Sequence, residues 1–291
     1  MSSDGRGQGA LGSTLALGAV AAALLGAVAC STESHASAAV SDGGEAGAHA
    51  PPGLGMTWKI VESGPVGTAL DKALRPQDLP GLGGVEVCID GMAAIPCATS
   101  GSDGIFVLHG LPAQTDLVLT TRKDGYVKTL RPIETASTDM DGTAFPMVTT
   151  KSGGPRPDLG FTYDDSLGAI SFFAIQLESD GGVALPPDVH VSIDPKAQHG
   201  PFFTTDRNVF DKTATASIGG LGFFFNVEPG DYVLTFDDEK ADCAPISFPF
   251  GAFGYPSPPT SVHFPVKSEY VTDQVAVLCT DKSVLVSPDG G

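Results

Sequence analysis

The stretch Gly104-Ile105-Phe106-Val107-Leu108-His109-Gly110-Leu111-Pro112-Ala113, followed by Asp116-Leu117-Val118-Leu119-Thr120, has a counterpart further along the chain. It is Gly222-Phe223-Phe224-Phe225-Asn226-Val227-Glu228-Pro229-Gly230-Asp231-Tyr232-Val233-Leu234-Thr235. Each copy is a short run of alternating β-branched and aromatic residues, a proline turn, and a second such run. A strand-like segment lies upstream of each, Gly84 to Ile89 in the first copy and Pro187 to Ile193 in the second. Period-2 alternation broken by Gly, Pro and Asp at roughly ten-residue spacing is the pattern of an antiparallel sandwich or barrel. An internal repeat of that pattern predicts two related units in tandem.

Around the repeat the composition agrees. The 291 residues hold 37 Gly and 23 Pro, well above the usual share, which argues for many turns and against a helical bundle. Apolar residues make up 42% and aromatics 8%, enough for real cores. Only Gly67 to Leu79 offers a helical turn, with Pro76 limiting its length. The net charge of −18 repels a polyanion, so nucleic-acid binding is not expected. Alternation places Phe106, Leu108, Phe223 and Phe225 in the sandwich interiors. Pro112 and Pro229 set tight turns, and Gly230 is the residue expected to supply a positive φ.

The repeated unit resembles the carboxypeptidase regulatory-like, transthyretin-like β-sandwich. Ser100-Gly101-Ser102-Asp103-Gly104-Ile105-Phe106 matches its central turn and Gly-x-Phe strand, and Asn226 to Leu234 its proline turn and Tyr-x-Leu strand. The first copy departs from the pattern, with Ala113-Gln114-Thr115 at the turn and Leu117 in place of the tyrosine. The likeness covers about 84–130 and 187–240. It implies an all-β fold of two tandem Ig-like sandwiches and a non-catalytic module, so no catalytic residue carries over.

Outside the repeat, Ala10 to Ala29 is an apolar run behind Arg6, ending Ala27-Val28-Ala29-Cys30. Small residues at −3 and −1 suit signal peptidase. The cysteine after them resembles a bacterial lipobox, which implies diacylation of Cys30 and a membrane anchor. Ser31 after it, rather than Asp, points by the same resemblance to the Gram-negative outer membrane. Residues 31 to 55 are Ser, Ala, Gly, Pro and acids with almost no large apolar side chain, a flexible tether. The expected division is 1–29 signal peptide, 30–55 acylated tether, 56–150 first sandwich, 151–157 linker, 158–282 second sandwich and 283–291 tail.

Setting Cys30 aside leaves Cys88, Cys97, Cys243 and Cys279, an even set in an exported chain. Four cysteines allow three connectivities. Cys88–Cys97 and Cys243–Cys279 are expected, because each pair then lies within one unit. C-x-x-C spacing is absent, which argues against zinc or thioredoxin chemistry. H-E-x-x-H, G-x-S-x-G and P-loop motifs are absent too, so an enzyme, cofactor or metal is not expected. Two acidic groups, Asp139-x-Asp141-Gly142 and Asp237-Asp238-Glu239 with Asp242, read as solvated turns, and Asp180-Gly181-Gly182 as a hairpin turn. Phe202 and Phe203, in the long excursion of the second unit, are the candidate ligand contacts. The role these features imply is a spacer or binding module of the cell envelope, with an envelope protein or polysaccharide as partner. The alternatives are a calcium- or carbohydrate-binding module, or an enzyme with an unrecognised site. Oligomeric state is not legible.

Overall fold

A computed structural model describes residues 53–62, 79–153, 157–177, 183–204, 210–211, 213–216, 221–246, 255–257 and 260–282. The signal peptide, Cys30, nearly all of the tether, almost all of the Gly67–Leu79 turn, the Asp180–Gly182 turn and the 283–291 tail lie outside these residues. The first unit contains β1 (Leu54–Glu62), β2 (Glu86–Ile89), β3 (Ala98–Thr99), β4 (Ile105–Leu111), β5 (Asp116–Arg122), β6 (Thr129–Glu134) and β7 (Met140–Met147). The second contains β8 (Gly168–Leu177), β9 (Val183–Ala184), β10 (His190–Asp194), β11 (His199–Thr204), β12 (Phe210–Asp211), β13 (Leu221–Val227), β14 (Gly230–Asp237), β15 (Ala241–Pro245), β16 (Tyr255–Ser257), β17 (Ser261–Val266) and β18 (Val271–Asp281). Between them Thr150–Gly153 makes one helical turn and Pro157–Leu159 a 3-10 turn.

The all-β sandwich class is the one expected, and the repeat runs deeper than its sequence match. In the first unit β1 pairs antiparallel with β4, β2 and β6 flank β5 antiparallel, and β7 pairs parallel with β1. In the second, β8 pairs antiparallel with β13, β10 and β17 flank β14 antiparallel, and β18 pairs parallel with β8. Six strands therefore recur with the same partners and directions. The parallel pairing of first and last strand joins segments some 80 residues or more apart. Neither partner signals it locally.

Each unit buries its own apolar face. The first core draws Met56, Trp58, Ile60, Val85, Val87, Phe106, Leu108, Leu119 and Met140, and the second Ile170, Phe172, Phe203, Phe224, Leu234, Phe236, Phe264 and Val277. Along β4 the alternation is clean: Phe106 and Leu108 are buried, while Ile105 and Val107 are 43% and 41% exposed. On β13 the phase differs from the expected one. Phe224 faces the core, whereas Phe223 and Phe225 face the opposite side of the sheet. Three consecutive phenylalanines carry no phase of their own. Gly222 supplies it, because a Cβ there would lie 2.3 Å from the Phe172 ring, so residue 222 and hence 224 point inward. Asn226 then breaks the alternation, and the pairing register with β8 shifts between Phe225 and Val227. Asn226, with φ 50°, is left-handed before the second proline turn, as Gly110 (φ 79°) is before the first. Past the prolines, Gly230 (φ 159°) carries the positive φ expected of it and Gln114 (φ 47°) is left-handed.

Gly104 is one of the glycines on which the first core depends. Its φ is 82°, and a Cβ would sit 2.1 Å from the Ile60 carbonyl oxygen, which accepts the Leu82 N–H. Gly104→Ala is expected to cost about 2–3 kcal/mol from the backbone conformation and the forced shift of β1. Urea denaturation checks this, and a loss below about 0.5 kcal/mol would mean that β1 moves freely.

Both disulfides are present. Cys88 at the end of β2 joins Cys97 just before β3, across 9 residues. Cys243 on β15 joins Cys279 directly opposite it on β18, across 36.

Candidate functional site

Two features stand out above ordinary core and turn: the seam between the units, and an aromatic layer on the outer face of the second.

At the seam, β6 is the edge of the first unit's sheet β3-β2-β5-β6, and β18 borders the second unit's β13-β8-β18. Exposed edges carry unpaired N–H and C=O groups. Here the edges close on each other. Val271 pairs parallel with Thr129 and Thr272 with Leu130, and the Val271 N–H donates to the Lys128 carbonyl at 3.0 Å. One sheet thus runs through both units. Further along, the same edge of β18 is taken by β15.

Between these two partners β18 is irregular, its register with β8 shifting between Thr272 and Val275. Asp273 sits in that irregularity. One carboxylate oxygen accepts from the Arg131 guanidinium of β6 at 2.7 Å, and the other from the Ser171 hydroxyl of β8 at 2.8 Å. The Arg131 side chain is 4% exposed and that of Asp273 17%. Burial pushes the Arg131 pKa down, opposed by the charge of Asp273 and its hydrogen bond. A buried guanidinium needs such a partner.

A second buried tie crosses the seam. The Tyr255 hydroxyl of β16 donates to the Leu117 carbonyl of β5 at 2.7 Å. Burial raises the Tyr255 pKa above its ordinary value, and the nearby Asp116, Asp231 and Asp90 raise it further. The stability this tie contributes is fully present below the ordinary tyrosine pKa of 10.0 and is lost as pH rises from there through the raised native value. Tyr255→Phe leaves the Leu117 carbonyl without this donor and is expected to cost about 1–2 kcal/mol. Its denaturation free energy against wild type at neutral pH measures this, and equality would mean that water replaces the hydroxyl. Two half-exposed ion pairs, Lys128–Glu269 and Lys267–Asp90, both at 2.5 Å, add little.

Sequence reasoning missed this seam. The available signal was Arg131 inside the apolar run Leu130 to Ile133, next to a proline that suits an edge strand.

The aromatic layer lies across β11, β13 and β12. Phe223 and Phe225 stack with centroids 5.8 Å apart, Phe210 meets Phe223 edge-on at 5.2 Å, and Phe202 lies 6.1 Å from Phe225. Phe161, from the segment linking the units, stacks on His199 at 4.4 Å and on Phe202 at 5.8 Å. Asn226 pins that segment, accepting from the Asp164 N–H and donating to the Thr162 carbonyl. The stretch expected as a loop excursion is the strand β11, and this separates the two candidate contacts. Phe202 stands half-buried in the layer. Phe203 is fully buried against Phe172 in the core, so no ligand reaches it, because neighbouring residues on a strand point to opposite faces.

Beside the layer an open groove of about 690 Å³ is lined by Tyr163, Asp164, Asp165, Gln198, Asn226 and Glu228. Burial, helped by Asp165, raises the Tyr163 pKa, and the Ser166 hydroxyl and N–H hold the Asp164 carboxyl below its usual value. Rings beside acids and amides suit stacking on a ligand while bonding its hydroxyl or amine groups.

The acidic groups, expected as turns, lie in part on strands, Asp141 on β7, Asp237 on β14 and Asp242 on β15, and they meet backbone and protein cations. Asp139 accepts from the Gly55 N–H at 2.7 Å, and the Lys282 ammonium donates to the carbonyls of Asp238 and Glu239. Lys240 pairs with Asp188 at 3.1 Å. Among the described residues, the grouping with metal-ligand spacing is Glu86 with Cys88 and Cys97, whose sulfurs are bonded to each other.

No family model matches the chain, and no curated protein does. Solved structures do. The minor pilin GBS52 of Streptococcus agalactiae aligns at 12% identity over 78% of this chain and 96% of its own, with a TM-score of 0.26. The shaft pilin spaA of Lactobacillus rhamnosus GG aligns at 12% over 79% and 98%, with a TM-score of 0.22. The Bacillus anthracis TIE protein aligns at 10% over 79% of this chain, which spans 34% of that protein's length, with a TM-score of 0.25. Such identities and scores transfer no residue role.

Proposed function

We propose that this chain is a non-catalytic envelope lipoprotein that acts as a stiff spacer. In this reading Cys30 is acylated and anchors the protein in the outer membrane. Residues 31–55 give reach, and the sandwiches 56–150 and 158–282, of carboxypeptidase regulatory-like type, stand as one body beyond it. The observation that carries the reading is the seam. A flexible pair of binding domains needs no shared sheet, no buried Arg131–Asp273–Ser171 contact and no Tyr255–Leu117 bond, whereas a spacer that must hold distance does.

A second reading, a binding module for an envelope polysaccharide or protein, is favoured by the half-buried rings of Phe161, Phe202 and Phe223 beside the acidic groove.

Intact mass and membrane fractionation test the anchor. The natively expressed chain should start at Cys30 with acyl chains attached, and Cys30→Ser should be released to the soluble fraction. A soluble, non-acylated wild type would overturn lipid anchoring. Small-angle scattering tests the spacer, which requires one fixed separation of the two units at all salt concentrations. A distribution of separations would overturn it and leave the binding reading in place.

A further inference from the structure

The topology points to a further function: we propose that the two units are mechanical clamps in series, built to bear tension applied between the ends of the chain. The proposal deepens the spacer reading and rests on it for its biological sense, though not for its physics.

It starts from the first and last strands. In the first unit β1 and β7 lie parallel, from Met56 opposite Met140 to Glu62 opposite Met147. In the second β8 and β18 lie parallel, from Ala169 opposite Val271 to Gln176 opposite Cys279. Tension enters each unit at the N-terminal end of its first strand and leaves at the C-terminal end of its last. Parallel strands under that load are drawn along their own axes in opposite directions. The ladder is sheared, and its evenly spaced hydrogen bonds are strained together. Had the two strands been antiparallel neighbours, the same pull would open their bonds one after another from one end. Forced unfolding is governed by the barrier to the first rupture, so loading many bonds at once raises the resistance.

The pairing partners strengthen the clamp. β1 is held on its other edge by β4 and β8 by β13, so neither first strand can peel sideways into solvent. The Cys243–Cys279 bridge lies at the exit of β18, with Cys279 opposite Gln176 at the end of the clamp. Once the ladder has sheared, the 36-residue loop behind that bridge cannot extend, and neither can the 9-residue loop behind Cys88–Cys97.

Single-molecule pulling on the full chain tests this. Handles at the two ends load both clamps in shear. Handles at residue 53 and at Thr138, which is exposed just before β7, load the first unit at the adjacent N-terminal ends of β1 and β7 and peel them apart. End-to-end pulling is expected to give two ruptures, each at severalfold higher force than the peeling pull. Reductant identifies the units: the second rupture length should grow by about 13 nm for its 36-residue loop, and the first by about 3 nm for its 9-residue loop. Those increments show that both units were folded before the pull. End-to-end ruptures no stronger than peeling would overturn the proposal, even for a chain that scattering shows to be stiff. A chain that flexes in scattering yet ruptures at high force would fail as a spacer and still carry the clamps.

Discussion

Asp273→Ala is expected to destabilise the protein by about 3–5 kcal/mol, because it removes a hydrogen-bonded counter-charge from a guanidinium that is 4% exposed. Asp273→Asn can keep both contacts, its amide oxygen accepting from Arg131 and its NH2 donating to the Ser171 hydroxyl, and removes the charge, so its cost should be smaller. Arg131→Met with Asp273→Leu should regain most of the loss, because a buried pair replaced whole by apolar side chains of similar volume is often neutral or better. Denaturation free energies for the three variants form the test. Hydrogen exchange at Val271, whose N–H bonds Lys128 across the seam, says where the loss falls. A cost below about 1 kcal/mol for Asp273→Ala would mean that water screens the pair as it does a surface one, and the seam would rest on its backbone bonds alone.

Removing Cys243–Cys279 by replacing both cysteines with alanine is expected to cost about 4 kcal/mol, and removing Cys88–Cys97 about 2.5 kcal/mol. The order follows from loop length, 36 residues against 9, through the entropy the bridge removes from the unfolded chain. The larger bridge also has a structural consequence. It holds β15 to the half of β18 that β6 leaves uncovered, so its loss frees an edge at Val277 to Asp281. Urea denaturation of the two double variants gives the order directly. Equal costs would show that strain or residual unfolded structure outweighs chain entropy. A larger cost for Cys88–Cys97 would show that the turn after β2 organises the first unit.

Much of the fold was legible because period-2 alternation survives in sequence wherever one face is buried and the other exposed. Phe106 and Leu108 against Ile105 and Val107 show this plainly. The pairings Cys88–Cys97 and Cys243–Cys279 followed from keeping each bridge inside one unit. Alternation fails where both faces are covered. β13 has a core on one side and the aromatic layer on the other, so its three phenylalanines read as an unphased apolar run, and Phe223 and Phe225 went to the wrong face. Phe202 and Phe203 failed as a pair for a related reason. A stretch read as loop gives adjacent side chains a common outlook, while the strand that forms gives them opposite ones.

By itself, then, the chain determined what depends on neighbours in sequence: the β class, the two copies, their turns and their bridges. Each arises from interactions within one unit or one hairpin, and these write themselves as short-period patterns. Only the tertiary structure decided the parallel closure of β1 on β7 and β8 on β18, and the seam that joins Thr129 to Val271 and Arg131 to Asp273. These contacts join residues roughly 80–140 positions apart, between segments that look locally like any other strand. Their energy comes from edges and charges that have no partner until both units have folded and met.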